Sequence, residues 1–329
     1  MGQYSSGTHR GLERKAIVTE NDSTAVPRRR PRPADPADRP ARLAVGVVGA
    51  GRVGAPLAAA LALAGHTVVA ASGVSDASRR RAEDLLPGVL LTSPQDVIAR
   101  ADLVLLTVPD DALPGLVAGL TSTGALKPGQ LLVHTSGRFG VSLLEDAARA
   151  GALPLALHPV MTFTGTSVDV QRLVGCSFGV TAPEVLRPVA EALVVEMGGE
   201  PEWIDERARP LYHVALANGA NHLVTLVAQS LDLLTAAGVR APDRMLGPLL
   251  GAALDNALRS GDLALTGPVA RGDAGTLAAH IAELRRTAPE SLAAYVAMAR
   301  LTADRALSAG LLKPELATAL LDVLAEGGS

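Results

Sequence analysis

The sequence predicts an α/β doubly wound parallel sheet followed by an all-α C-terminal domain, and three observations carry that prediction. A short apolar run, Val45-Gly46-Val47-Val48, ends in Gly49-Ala50-Gly51-Arg52-Val53-Gly54 and passes at once into the Ala/Leu-rich pattern 55–64. Strand-like and helix-like patterns then alternate to about residue 207. Beyond residue 208 the strand patterns stop and only long amphipathic patterns remain.

The first observation carries chemistry as well as structure. In G-x-G-x-x-G between a strand and a helix, the first glycine allows a tight turn and the second lets the backbone approach a pyrophosphate. The third lets helix and strand pack closely. The free N–H groups and positive dipole end of the helix then face the phosphates. Residues Gly49, Ala50, Gly51, Arg52, Val53 and Gly54 are therefore expected to cradle a dinucleotide.

The chain is long enough for about two domains, and at 48% hydrophobic residues it can build a core without disulfides. Its single cysteine, Cys176, excludes an internal disulfide and a Cys-based zinc site, and it reads as a buried strand residue; no metal is expected. No uninterrupted apolar run reaches 18 residues and no signal-like apolar region opens the chain, so a cytoplasmic protein with no membrane partner is expected. Arg and Ala abound while Lys is confined to Lys15, Lys127 and Lys313, a skew that matches a GC-rich bacterial genome. Residues 1–42 are rich in Pro and Arg, carry a net charge of +4 and read as a disordered tail; the remainder carries −7. With only Tyr4 for stacking and an acidic body behind it, the tail reads as a solvated extension, and no nucleic-acid partner is expected.

In residues 43–207, the second strand is expected over His66–Ala71. NAD-specific sites place a carboxylate at the end of that strand; here Ser72 stands there, followed by Ser75 and Arg79-Arg80-Arg81. Hydroxyls and guanidiniums suit a 2′-phosphate, so Ser72, Ser75 and Arg79 predict NADP as the cofactor. Further strands are expected over Ala101–Val108, Gln130–His134, Ser177–Thr181 and Pro201–Ile204, with a helix over Ala182–Met197. Ligands in such sheets lie beyond the carboxyl ends of the strands. Val108, Pro109 and Asp110 sit at one such end; the Pro109-Asp110 pair reads equally as a cofactor-ribose contact and as a turn with a helix cap. Ser136 sits at the next, near the expected nicotinamide end. His158 follows Leu155-Ala156-Leu157, and imidazole is a natural group to exchange a proton as hydride moves.

In residues 208–329, helices are expected over Leu211–Ala237, Pro242–Ser260, Thr276–Arg286, Pro289–Ala309 and Pro314–Ala325, with Gly238, Gly261 and Gly310 as stops and Thr287 as an N-cap. Asn218, Asn221, His222 and Thr225 share one stripe of the first helix. That stripe reads either as a substrate-facing wall or as a polar helix contact. In the Gly-rich loop Leu265–Thr276, Asp273 reads as a helix cap. Arg271 reads either as a clamp for a substrate carboxylate or the cofactor phosphates, or as a structural arginine.

Taken together, the stretches VGVVGAGRVG, LLTVPDDALP, VHTSG, LHPVMTF, YHVALANGANHL and LTGPVARGDAGT resemble the Rossmann-like plus domain-of-unknown-function 2520 family. That family belongs to the 6-phosphogluconate dehydrogenase C-terminal-like superfamily. Relatives by architecture are ketopantoate reductases, pyrroline-5-carboxylate reductases, prephenate dehydrogenases and deazaflavin-dependent NADP reductases. His158-Pro159 is similar to the H-P-M-x-G run of prephenate dehydrogenases, whose histidine takes part in catalysis. The resemblance implies an NADP-dependent oxidoreductase acting on a small carboxylate-bearing keto, imino or hydroxy substrate, ketopantoate reduction being the first expectation. The alternatives are prephenate-like oxidation and a non-catalytic NADP-binding regulatory or scaffold protein. It also implies a homodimer through the helical domain. Ser136, His158, Asn218, Asn221 and Arg271 are then the expected catalytic set. The chain departs from ketopantoate reductases and hydroxyacid dehydrogenases in one respect: no lysine stands between Lys127 and Lys313, where those enzymes place a catalytic one.

Overall fold

In the computed structural model, residues 42–327 are described; the Pro/Arg-rich stretch read as a tail lies almost wholly outside them. Strand β1 (Ala44–Val48) leads through the glycine loop into α1 (Gly54–Leu63). There follow β2 (Thr67–Ser72), α2 (Asp76–Leu85), β3 (Leu90–Leu91), α3 (Pro94–Arg100), β4 (Leu103–Leu106), α4 (Leu113–Ser122) and β5 (Leu131–His134). Helix α5 (Glu145–Arg149), β6 (Leu153–Pro159), α6 (Ser167–Arg172), β7 (Ser177–Thr181), α7 (Arg187–Glu196) and β8 (Glu200–Trp203) complete the α/β part.

The eight strands lie in the order β3-β2-β1-β4-β5-β6-β7-β8. All neighbours are parallel except β6 and β7, which run antiparallel with His158 opposite Gly179. The order reverses between β1 and β4, which is where such sheets bind ligands. Helices cover both faces, so β4 is buried on each: Leu103 and Leu105 pack with Leu57 and Leu61 of α1, and Val104 and Leu106 pack with Val97, Leu113 and Val117.

The chain turns all-helical with α8 (Arg209–Ala236), α9 (Pro242–Ser260), α10 (Gly267–Arg271), α11 (Ala274–Thr287), α12 (Pro289–Ser308) and α13 (Pro314–Gly327). Helices α10–α13 share a core built on Leu277, Ile281, Val296, Leu320 and Leu324. Helices α8 and α9 are different. The 28 residues of α8 bury only Arg209, and the 19 residues of α9 bury none.

Several local expectations are corrected. The helix expected from Ala182 starts at Arg187, because Pro183 leads into a 3₁₀ turn over Glu184–Leu186. Thr287 is not an N-cap: it is the last residue of α11, and its hydroxyl donates to Glu283 at 2.8 Å. Buried Cys176 precedes β7 rather than lying in it. The Gly-rich loop contains the short helix α10, after which Asp273 caps α11 by accepting from the Thr276 N–H at 3.0 Å.

Candidate active site

The glycine loop is fixed from two sides. Gly49 adopts φ +98°, and its N–H and that of Ala50 donate to the Ser72 carbonyl at 3.2 and 2.7 Å. From the other side, Thr107 Oγ1 donates to the Gly49 carbonyl at 2.7 Å. A Cβ at Gly54 would overlap Thr107 Oγ1 and sit 2.5 Å from the Gly49 oxygen, so this glycine sets the approach of α1 to the loop. Gly51 behaves oppositely. A Cβ there would meet only the Gly49 oxygen, at 3.8 Å. That space is open, and it lies at the start of α1, whose N-cap Val53 supplies no side-chain cap. An uncapped helix end beside an open glycine fits a pyrophosphate. Arg52 is exposed, and its side chain and that of Arg81 both lie beside Gly165, in the loop after β6.

At the end of β2, Ser72 is buried and its Oγ accepts from the Gly49 N–H at 3.4 Å, so this hydroxyl supports the loop. Ser75 caps α2 by accepting from the Ser78 N–H at 3.1 Å, and Arg79 pairs with Asp76 at 3.2 Å on the surface. At the end of β4, Val108 packs against Gly49, while the Pro109 carbonyl accepts from the Ala112 N–H in a turn at 2.9 Å. The N-cap of α4 is Ala112, with no side-chain bond, so Asp110 does not cap that helix.

Beyond β5 and β6 lies a second cluster. Ser136 is buried; its Oγ accepts the N–H groups of Arg138 and Phe139, both at 3.2 Å, which leaves its own O–H to donate. His134 is fully buried, with Nε2 2.9 Å from the Gly140 carbonyl and Nδ1 accepting from the Ser136 N–H at 3.3 Å. His158 lies within β6, which runs on through Pro159, and its Nδ1 is 2.8 Å from the Tyr212 hydroxyl. The His213 ring stands edge-on to His158, with centroids 6.3 Å apart. Beneath them Arg209 is wholly buried. It donates to Thr181 Oγ1 (2.8 Å) and to the carbonyls of Ser136 (3.0 Å), Ala156 (3.0 Å) and Gly179 (2.9 Å).

Electrostatics follow from that burial. His158 is pushed down to about 4, by desolvation first and then by the charge of Arg209, with His213 and His134 adding to it. His134 is likewise pushed down to about 4 by burial. Both imidazoles are neutral at pH 7. Because these folded-state values lie below the ordinary 6.5, the unfolded chain takes up protons first as the pH falls. Their contribution to stability is complete above about pH 6.5 and is lost between about 6.5 and 4, reaching about 3 kcal/mol for each histidine. Urea unfolding measured from pH 7.5 to 4 is expected to show that loss; a flat profile across the window would contradict the burial argument.

The other expected site residues are not brought here within one chain. Asn218 and Asn221 lie about 9 and 14 Å further along the α8 axis than Tyr212. Both are exposed, and Asn218 is held 2.8 Å from His222 Nδ1. Arg271 is exposed at the end of α10, in the bundle of α10–α13. Conversely, Arg209, Tyr212 and His134 are residues of this cluster that the sequence does not single out. The Arg209-Pro210 start of α8 was the available signal, hidden by the general abundance of arginine.

The Rossmann-like domain family matches residues 30–159, and the domain of unknown function 2520 matches residues 176–302. The chain is a Rossmann-like–DUF2520 protein. Solved structures similar to it include a Bacteroides fragilis protein provisionally assigned as an NADP oxidoreductase, at TM-score 0.67 and 22% identity, covering 80% of this chain and 98% of that one. Protein TM1727 of Thermotoga maritima matches at TM-score 0.59 and 22% identity over 80% and 98% of the two chains. An imine reductase from Pseudomonas sp. matches at 0.59 and 20% over 86% and 100%. At these identities the likeness is one of fold. No match is found among curated proteins. Among the described residues of this Rossmann-like–DUF2520 protein, no helix is long and apolar enough to cross a membrane, and no cluster of three His, Cys, Asp or Glu side chains could hold a metal.

Proposed function

We propose that this Rossmann-like–DUF2520 protein is a cytoplasmic, NADP-dependent oxidoreductase acting on a small carboxylate-bearing carbonyl, imine or alcohol. The observation that carries the reading is the pairing of two features beyond the same strand ends. One is an uncapped helix N-terminus with open space at Gly51; the other is the buried Ser136 hydroxyl just past β5 with the half-buried His158 imidazole near the end of β6. The loop Gly49–Gly54 would hold the pyrophosphate, with Val108 and Pro109 flanking it and Asp110 left free for a ribose. Ser75, Arg79, Arg81 and Arg52 are the hydroxyls and cations available to a 2′-phosphate. When bound, a reduced nicotinamide supplies hydride. The chain's own part is to orient the reacting oxygen or nitrogen, through the Ser136 O–H, and to handle the proton at His158. The names of the similar structures support this class, and a ketopantoate-like keto acid is the first substrate to try.

The second wall of the site is proposed to come from a second copy of the chain. A helix as long as α8 with Leu211 74%, Val214 62% and Val224 69% exposed is apolar on more than one side, a pattern that belongs to buried helices. Packing α8 and α9 against another copy would cover these residues. It would also turn the Asn218 and Asn221 stripe and Arg271 into candidates for a neighbour's site. Sedimentation velocity is expected to report twice the chain mass; a monomer at micromolar concentration would refute the arrangement.

Titration with NADPH and NADH tests the cofactor reading directly. NADPH is expected to bind at least about tenfold tighter, and keto acids and cyclic imines are then screened by loss of reduced-nicotinamide absorbance. Tighter NADH binding would overturn the 2′-phosphate assignment, and absence of any dinucleotide binding would overturn the function.

A further inference from the structure

The missing lysine leaves open where a proton would come from, and the contacts of Tyr212 bear on it. Its hydroxyl reaches His158 Nδ1 at 2.8 Å because Gly179, opposite His158 on β7, has no side chain; a Cβ there would overlap the hydroxyl. Among the described residues the Tyr212 hydroxyl has no other hydrogen-bond partner, and in one of the two tautomers open to the pair its O–H donates to Nδ1. The single proton of the neutral imidazole then sits on Nε2. That nitrogen faces Gly137, where a Cβ would lie 2.9 Å away. Arg209 lies beside both rings, its Cζ 5.9 Å from the Tyr212 centroid. All of its bonds run to neutral oxygens, so its charge is not cancelled by a directly paired carboxylate.

We propose that Tyr212 and His158 form a proton relay to the reacting atom, with the buried Arg209 holding the tyrosinate left behind. This rests on the oxidoreductase reading. In the reducing direction, hydride from a reduced nicotinamide forms the new C–H bond, and the C=O or C=N π pair moves onto oxygen or nitrogen. That atom takes the proton from Nε2 as Nδ1 takes the proton from Tyr212: the N–H and phenolic O–H bonds break while an O–H (or N–H) and an Nδ1–H form. Water then protonates Nε2, and Nδ1 returns its proton to the tyrosinate.

The electrostatics agree with the geometry. The ionisable groups facing His158 are Arg209, Tyr212 and His213 of α8 and His134 of β5, and burial with the Arg209 charge holds His158 near 4. An imidazolium is therefore not the acid at pH 7, and a neutral imidazole alone is a much weaker acid than a phenol. Relaying gives the substrate a phenol's proton through a histidine's reach. Burial raises the pKa of Tyr212 and Arg209 opposes that rise, so the resting group is the neutral phenol.

Tyr212 is thus a relay residue acting through His158, and Tyr212→Phe tests it. In the full chain without ligand, long-range ¹H–¹⁵N spectra are expected to show His158 protonated on Nε2, and the variant to lose that single tautomer. A wild-type Nδ1–H tautomer would overturn the relay whether or not the oxidoreductase reading holds. With NADPH and a reducible substrate, Tyr212→Phe is expected to lower kcat about 100-fold with an unchanged NADPH Kd and to abolish the alkaline limb of the pH profile. An unchanged kcat would overturn the relay and leave the oxidoreductase reading standing. Absence of dinucleotide binding would refute the oxidoreductase reading and with it the relay's place in a reduction, while the tautomer separately reports on the Tyr212–His158 pair. Replacing tyrosine by 3-fluorotyrosine, a more acidic phenol, is expected to move the alkaline limb to lower pH; an unmoved limb counts against the relay.

Discussion

Replacing Arg209 by Met is expected to cost this protein about 4 kcal/mol, among the largest effects open to a single substitution. The guanidinium joins Thr181 and the carbonyls of Ser136, Ala156 and Gly179, and so ties the turn after β5 to β6, β7 and the first turn of α8. Hydrogen bonds to a charged group contribute about 1.5–3 kcal/mol each, which taken alone would exceed the expected figure. Part is offset because methionine also removes a buried cation, whose desolvation costs several kcal/mol. What does not cancel is three carbonyls of buried residues left without this donor. Arg209→Lys is expected to recover about half of the loss, since one ammonium cannot span the fork. The urea-unfolding free energy checks both; a methionine variant within about 1 kcal/mol of wild type would show that the carbonyls find other donors. The same variants carry an electrostatic signature: with the cation gone, the pKa of His158 rises toward the ordinary histidine value.

Arg209 also marks the limit of what the sequence discloses. Its partners lie 28, 30, 53 and 73 residues away, and Tyr212 and His158 are separated by 54. Nothing local distinguishes Arg209 from other arginines of this Arg-rich chain until β5, β6 and β7 are laid side by side. The glycine loop is the opposite case. Strand, turn and helix start follow one another within Ala44–Leu63, so spacing alone reveals the turn and the place proposed for the phosphates. The polar stripe on α8 was legible as a stripe, because helical periodicity is local. Which partner it faces is a question of packing, and in a single chain it faces solvent. Thr287 shows the same limit at a smaller scale: its bond to Glu283 one turn back extends α11 by a residue and passes the N-cap position to Ala288.

Two glycines three positions apart are expected to respond to alanine in opposite ways. Gly51→Ala places a methyl group 3.8 Å from the nearest atom beyond its chain neighbours, so the urea-unfolding free energy is expected to change by no more than about 0.5 kcal/mol. Dinucleotide affinity is expected to fall by about 2 kcal/mol, about thirtyfold in Kd, because that methyl occupies the volume a pyrophosphate would use. At Gly54 the same methyl would collide with Thr107 Oγ1 and the Gly49 carbonyl, the two ends of the bond that holds the loop. Neither can yield cheaply: Thr107 follows directly on the buried β4, and Gly49 sits at φ +98° with its N–H bonded to Ser72. Helix α1 must then lift from the loop, at a cost of about 3 kcal/mol of stability, and binding is lost with it. Measuring NADPH binding and urea unfolding on the same two variants separates a glycine kept for a ligand from one kept for the fold. If Gly51→Ala bound NADPH as well as wild type does, the open space at the head of α1 would not be where the phosphates lie, and the dinucleotide assignment would lose its structural basis.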